Sequence, residues 1–169
     1  MHETPDDLDR MQQLLDASYA AAGPHLLEVI PPERRLDAAG LATAVEGMCL
    51  LVLATVSSDG RPIAGPVDGI FFRGRFHFGS SPESIRFRHI RRRPAVSATH
   101  LPGEALSVTV HGEAEIVDVK SPEHADFRRC LLDVYTPRYG AEWEQFIDSG
   151  PVYARIEPAR MFTYSMPAG

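Results

Sequence analysis

Cysteine is scarce in this sequence, which has only two among its 169 residues. Cys49 and Cys130 each lie inside an apolar segment, and they do not form the short spacing of a metal site or a redox pair. This scarcity argues against a disulfide framework and against a zinc site, so we expect no metal. It predicts two reduced, buried thiols in a cytoplasmic protein.

Long hydrophobic runs are missing as well. The longest uncharged apolar stretch runs from Met48 to Val56, well short of the roughly 20 residues that a membrane-spanning helix needs. The chain does not open with a charged and then apolar leader. We therefore expect a soluble, unexported protein without a membrane partner.

The sequence also lacks a positive net charge. Its formal charge of -6 argues against a nucleic-acid partner, although residues 91–93 form a basic run that is most simply a solvated helix face. Motifs of a P-loop, a glycine-rich nucleotide fingerprint and a nucleophile are absent too. The catalytic residues therefore stay unknown, and a bound cofactor would have to carry any redox chemistry.

The chain is long enough for one core and has no linker, so we expect a single structural domain. Residues 1–47 predict an N-terminal helical arm. Thr4 caps and Pro5 opens its first helix, which ends at Gly23-Pro24, and a second helix is predicted over 33–46. We expect this arm to pack on the rest of the chain or to cover a dimer interface.

From residue 48 the hydrophobic period changes to two, which predicts antiparallel strands. Turns are predicted at residues 58–60 and at Arg73-Gly74. The first strand is apolar on both faces and is expected to be central. In the second strand, Pro66 and Gly69 predict imperfect pairing, either because a ligand approaches the backbone or because an edge strand carries a bulge.

The clearest alternation lies in residues 106–117. Its predicted core face consists of Leu106, Val108, Val110, Ala114 and Ile116. His111 on the other face invites a catalytic or haem-ligand role, but an ordinary hydrogen-bonding or exposed histidine is favoured.

The last part of the chain predicts two helices and a strand. The first helix starts at residues 121–123 and stops at Thr136-Pro137, and the second holds Trp143, Phe146 and Ile147, with its aromatic rings mostly in the core. In the final strand Val152, Ala154 and Ile156 alternate with polar or aromatic residues.

The stretch 78–86 joins an aromatic strand to a basic helix through small hydroxyl residues. A helix start offers unpaired N–H groups, and the hydroxyls of Ser80, Ser81 and Ser84 with the Arg86 guanidinium would complete an anion site. The alternative is a capped turn, in which Ser81 caps the helix, Pro82 takes its first position and Arg86 is solvated.

Four blocks in this order resemble one family. They are 53–62, the Ser-x-Arg pair and basic helix within 84–96, 110–117 and 155–158. The chain resembles the pyridoxamine 5'-phosphate oxidase-like, FMN-binding split-barrel family over about residues 48–164. The resemblance implies a mainly β fold with flanking helices, built on a six-stranded antiparallel split barrel over 48–169. It also implies a homodimer with cofactor sites at the interface.

The resemblance implies FMN as the cofactor and assigns roles to individual residues. Ser80, Ser84 and Arg86 would hold the phosphate, with Gly79 and Ser81 beside them. Pro66, Val67 and Asp68 would face the flavin ring, Ser107 of the partner subunit would close the groove, and Tyr164 would contact the cofactor edge. Asp68 stands where the oxidases carry a basic residue, which leaves the anion to Arg61, Arg86 or Arg88.

The implied function is a flavin-dependent oxidoreductase that transfers a hydride to an unknown small molecule. Oxidases of vitamin B6 end in an Arg-x-His-x-Arg segment that grips the substrate phosphate, whereas this chain has Ser165–Gly169 there, so we expect a different substrate. Alternatives are a deazaflavin-dependent reductase, with Arg88, Arg91 and Arg92 facing an acidic tail, and a non-catalytic flavin-binding or haem-binding protein.

Overall fold

The structure is a computed structural model, and it describes residues 1–166. Its helices are α1 (Pro5–Ala20), α2 (Pro24–Val29), α3 (Ala38–Ala44), α4 (Ile85–Ile90), α5 (Ala125–Tyr139) and α6 (Trp143–Asp148). Its strands are β1 (Met48–Val56), β2 (Pro62–Phe72), β3 (Arg75–Ser80), β4 (Ala95–Gly103), β5 (Leu106–Val117) and β6 (Val152–Ser165). Short 3-10 turns lie at Pro32–Arg34 and Pro122–His124.

The six strands form a closed antiparallel barrel in the order β1-β2-β3-β6-β5-β4. This confirms the predicted six-stranded barrel with flanking helices. Both predicted turns are confirmed too. Arg73 and Gly74 have φ angles of 50° and 78°, the left-handed conformation that a tight two-residue hairpin turn requires at both positions.

The short strand β3 leaves two barrel edges without a neighbour. It has 6 residues, whereas the strands beside it, β2 and β6, have 11 and 14. It pairs with β2 only over residues 69–72 and with β6 only over residues 152–155. Residues 62–68 of β2 and 156–165 of β6 therefore lack a strand on that side, and their backbone polar groups need other partners.

Helix α1 supplies those partners to β6. The Ser18 hydroxyl accepts a hydrogen bond from the Met161 N–H at 2.9 Å. The Tyr19 hydroxyl accepts from the Thr163 N–H at 2.9 Å and donates to the Thr163 carbonyl at 2.7 Å. The Leu36 N–H donates to the Thr163 hydroxyl at 2.9 Å. The N-terminal helices thus take the place of a strand along this edge.

The core has two parts. The barrel interior is continuous with apolar side chains of the N-terminal helices, among them Met11, Leu15 and Leu41, each at most 3% exposed. A second cluster lies between the barrel wall and helices α5 and α6, around Phe127 and Ile147. None of the helices in residues 1–166 is long and apolar enough to cross a membrane.

The N-terminal helices differ from the prediction in extent. The capping of α1 is confirmed, since Thr4 and Asp7 form a reciprocal capping box. Pro24 does not merely end a helix but begins α2. The helix predicted over 33–46 is confirmed only over Ala38–Ala44, because Asp37 caps this helix by accepting from the Gly40 N–H at 2.7 Å.

Helix α5 also departs from its predicted bounds. The segment 121–123 enters a 3-10 turn, and α5 continues past Pro137 to Tyr139. Pro137 lies in the last turn of the helix, where its missing N–H removes a single bond and the helix is about to end. Gly140, with a φ of 86°, terminates it.

Strand β2 pairs with β1 without interruption from Pro62 to Ile70, so the predicted imperfect pairing and the bulge are both wrong for this side. Strand β5 does carry an irregularity, between His111 and Gly112. There β6 has an additional residue, and a Cβ on Gly112 would lie 2.0 Å from the Glu157 carbonyl oxygen. Only glycine lets the two backbones approach this closely.

The predicted core position of Ile116 is wrong. Ile116 is 50% exposed, whereas Val117 is buried. Strand β5 pairs with β4 only as far as Glu113, so Ile116 lies beyond the part of the barrel that β4 closes, although β5 stays paired with β6. Val117 consequently packs in the second cluster under α5.

We predict that Gly112→Ala destabilises the protein by about 1 to 3 kcal/mol, because the new methyl group meets backbone that cannot move aside. Urea denaturation measures the change. Gly103→Ala is the matched control, since a Cβ at this strand residue meets nothing within 4 Å. An equal stability of both variants would contradict the close approach.

His77 should make the fold sensitive to acid. Its ring is packed 4.2 Å from the Phe127 ring, and burial lowers the pKa of His77 to about 3. The unfolded chain binds a proton there near pH 6.5, so stability should fall as the pH drops from about 6.5 towards 3, by up to about 1.4 kcal/mol per pH unit. His77→Gln should flatten this part of the stability profile measured by denaturation, and an unchanged slope would refute the assignment.

Candidate functional site

Arg86 connects helix α4 to the free edge of β2. Its Nη2 donates to the Pro66 carbonyl at 2.9 Å, so the alternative of a solvated Arg86 is wrong. Pro66 suits this edge because it has no N–H that would need a partner there. Partial burial lowers the pKa of the guanidinium, which still stays charged at neutral pH. Its remaining N–H groups are available to an anion.

The turn before α4 differs in detail from both predictions. Ser84, not Ser81, caps the helix, and its hydroxyl accepts from the Phe87 N–H at 3.4 Å. Ser81 and Pro82 form a preceding turn that the Ser84 N–H closes on the Ser81 carbonyl at 3.0 Å. Because α4 has six residues, its dipole contributes little, and side chains would have to hold most of an anion's charge.

Gly79 and Ser80 end strand β3 beside this turn. Gly79 is paired with Tyr153 of β6, and a Cβ on Gly79 would lie 2.7 Å from the Tyr153 ring. The glycine therefore lets this ring lie flat against the end of β3. Both residues face the same cavity as Ser81.

That cavity has a volume of about 470 Å³, which is within the range of small-molecule sites. Asp68 and the Gly79–Pro82 segment form one side, and aromatic residues of α5, α6 and β6 form the other. The structure thus brings four predicted site residues, Asp68, Gly79, Ser80 and Ser81, to one cavity.

The aromatic wall was missed by sequence reasoning, which placed these rings in the core. Trp143 stacks on Tyr139 and Phe146 at 5.0 and 4.7 Å between ring centroids. Its indole Nε1 is buried and has no hydrogen-bond partner among residues 1–166. Burial, with a smaller contribution from the negative charge of Asp68, raises the pKa of Tyr135. The clustering of four aromatic residues within 135–146 was the available signal.

Of the three residues predicted to face a ring on β2, only two face outward. Val67 is 8% exposed and its side chain belongs to the barrel core, so its predicted contact is wrong for the side chain. Pro66 and Asp68 lie on the exposed face. Because backbone groups alternate along a strand, Ala64 and Asp68 direct theirs to the same free edge as the Pro66 carbonyl.

Two of the other predicted cations, Arg61 and Arg91, have structural partners. Arg61 lies in the β1–β2 turn and forms an ion pair with Asp59 at 2.6 Å. Arg91 donates to the Pro82 carbonyl at 3.0 Å and Arg93 to the Ser57 carbonyl at 2.9 Å, so the basic run is only partly a solvated face. Arg88 is exposed and has no bonded partner in the described part of the chain.

Ser107 and Tyr164 lie apart from the Arg86 cluster. They are neighbours across the β5–β6 pair, and Arg34 donates to the Tyr164 hydroxyl at 3.3 Å. Strands β1 and β4 separate β5 from β2, so one chain does not bring Ser107 to Arg86. Of the segment Ser165–Gly169, residues 167–169 lie outside the described residues.

His111 fits the ordinary interpretation. It is exposed, and its Nδ1 is 2.8 Å from the Ser97 hydroxyl oxygen. The described residues that line the cavity include no histidine, and residues 1–166 contain no group of metal-ligating side chains arranged to hold an ion.

Comparison with known proteins supports the fold. The family model described as pyridoxamine 5'-phosphate oxidase matches residues 41–161. A conserved hypothetical protein from Mycobacterium tuberculosis is 23% identical, with a TM-score of 0.66 over 83% of this chain and 96% of that one. An FAD-binding protein from Mesorhizobium loti is 23% identical, with a TM-score of 0.56 over 77% and 93%. The heme storage protein HutZ from Vibrio cholerae is 18% identical, with a TM-score of 0.57 over 80% and 94%. None of the curated proteins matches the chain.

Proposed function

The chain belongs to the pyridoxamine 5'-phosphate oxidase family, and from this premise we propose that it binds FMN and acts as a flavin-dependent oxidoreductase on a small molecule other than pyridoxamine phosphate. The observation that carries the proposal is the hydrogen bond that places Arg86 at the free edge of β2, on the helix that Ser84 caps and that follows Ser80 at the end of β3. A phosphate needs a cation and hydroxyl or N–H donors, and this cluster offers both.

The residues present fit a flavin phosphate. Arg86 uses one of its N–H groups on Pro66 and keeps the others. The Ser84 hydroxyl accepts a hydrogen bond from the Phe87 N–H but still has its own proton to donate. Ser80 is the last residue of β3, before the turn that leads to Ser84. Asp68 supplies no positive charge, so binding of the anion depends more on Arg86 than it would if a lysine or arginine stood at this position.

The free edge of β2 suits the polar rim of a flat ring. A flavin held here would supply hydride transfer between a reduced donor and an acceptor, which is chemistry that these side chains do not supply. The chain's own part is to orient the ring. The backbone N–H groups of Ala64 and Asp68 can donate to it, and the rigid pairing of β2 with β1 fixes their positions.

A second copy of the chain completes the site in this proposal. The outer face of the barrel carries an apolar strip formed by Leu50 and Val52 of β1 and Leu101 of β4, each between 51% and 59% exposed. A contiguous apolar strip of this kind on an exposed sheet is typical of an interaction surface. Covering it with the partner's identical face would place Ser107 and Tyr164 of the partner subunit near a cofactor held by Arg86.

The same fold serves other cofactors in other proteins, since those described above bind FAD or store heme and another is an F420 reductase. A deazaflavin tail would find Arg88 on α4 and Arg92 just after this helix, but Arg91 is engaged with Pro82. No observation on the described residues favours haem, because the histidines are absent from the cavity wall.

The first test is the absorption spectrum of the purified protein. A bound oxidised flavin would give a band near about 450 nm, and oxidation of a reduced nicotinamide would separate an enzyme from a carrier. A colourless protein that takes up neither FMN nor FAD on titration would refute the proposal.

Arg86→Ala should weaken FMN binding by about 10-fold to 100-fold, because a charge-assisted bond to phosphate is lost. Quenching of flavin fluorescence on titration measures the affinity. Arg88→Ala is the matched control, since Arg88 lies on the same helix and is exposed, and it should leave the affinity within about twofold. Wild-type affinity in the Arg86 variant would reject the phosphate role.

Val52→Asp should convert a dimer into monomers, because it places a charge in the middle of the apolar strip. Light scattering coupled to gel filtration gives the mass. Ile116→Asp serves as the control, since Ile116 is similarly exposed at 50% but lies on β5 outside the strip. If both variants keep the mass of the wild type, the strip is not the interface.

A further inference from the structure

The cavity beside the phosphate cluster has no role in the proposal above, which concerns only the flavin and its first phosphate. Its lining includes Ser80, Ser81 and Pro82 but neither Arg86 nor Pro66. A flavin ring along β2 would therefore reach this cavity only at Asp68, on its rim. A group that reaches this cavity would extend beyond the phosphate rather than lie over the ring.

The cavity wall has the chemistry of a site for a planar heterocycle. Phe146 lines the cavity and is 47% exposed, which leaves ring surface available for stacking. The Trp143 Nε1–H is buried without an acceptor, and burial of an unpaired donor carries a free-energy cost that a ligand acceptor would remove. Asp68 at the rim offers a carboxylate to an amino group.

We propose that this cavity binds the purine base of a dinucleotide, so that the preferred cofactor is the flavin dinucleotide rather than FMN alone. This inference rests on the proposed flavin function and extends it. The second phosphate would lie beside the hydroxyls of Ser80 and Ser81, and the exocyclic amine of the base would donate to Asp68.

The chain provides its own reporter for this cavity. Trp143 is the single tryptophan of the sequence, so intrinsic tryptophan fluorescence reports on the cavity wall alone. Titrating the full chain with ADP should quench or shift this emission in a saturable manner. IDP, which lacks the exocyclic amine, should bind about 10-fold more weakly because it loses the bond to Asp68. No saturable change with ADP, or equal affinities for ADP and IDP, would overturn the assignment.

Flavin titrations test the same point independently. Wild type should bind FAD at least about 10-fold more tightly than FMN. Phe146→Ala should remove about 10-fold of the FAD affinity and leave FMN affinity within about twofold, and Trp143→Phe, which keeps a ring but removes the N–H, should remove about fivefold.

Tyr139→Ala is the matched control for damage to the aromatic cluster. Tyr139 also stacks on Trp143 and is 49% exposed, but it does not line the cavity, so it should change neither affinity. FMN bound as tightly as FAD, or an equal loss of FAD affinity in the Tyr139 and Phe146 variants, would overturn the inference. Saturable ADP binding without binding of either flavin would instead support the cavity assignment and refute the proposed flavin function.

Discussion

The length of strand β3 is the constraint on which the rest of the structure depends. Six residues between neighbours of 11 and 14 cannot pair along either of them, so a barrel that is closed in topology has two open stretches of backbone. Unpaired peptide groups are costly unless another group bonds to them. The helices outside the barrel are placed where these groups need partners.

The free edges of β6 and β2 find different hydrogen-bond partners, and this difference distinguishes a structural edge from the proposed binding edge. Along β6, Ser18 and Tyr19 of α1 bond to the strand directly, so this edge is closed by the chain itself. Along β2, Arg86 bonds to Pro66 and the backbone groups on either side of it stay available. A guanidinium at a half-satisfied edge can serve a ligand, whereas a fully bonded edge cannot. The proposed binding face is thus placed by backbone hydrogen bonding before any side chain adds specificity.

Local sequence signals predicted the strands and their turns well, because each depends on residues close together in the chain. Predictions failed where register decides the outcome. Val67 was expected to contact a ligand, but its side chain is buried in the barrel core. Ile116 was expected in the core, but it is exposed. Whether a side chain is buried depends on which strands flank it at that point. The bulge at Gly112 depends on an additional residue in β6, more than 40 positions away in the chain.

The aromatic wall of the cavity was hidden for a related reason. Rings at helical spacing are typical of a packed core, and only the placement of α5 and α6 against the end of β3 reveals a space between them. Ser107 and Tyr164 show a limit of the structure rather than of the sequence, because the structure of one chain places them away from Arg86. Their role depends on a second copy and stays a prediction.

The hydrogen bonds between α1 and β6 also affect the tendency of the protein to aggregate. Ten consecutive residues of a 14-residue strand would present bare backbone to solution if the first helix came away. Such a rim templates the addition of strands from other molecules and so seeds fibrous aggregates. The hydroxyls of Ser18 and Tyr19 therefore protect solubility at high concentration. Removing α1 from the amino end of the chain would make the protein prone to aggregation.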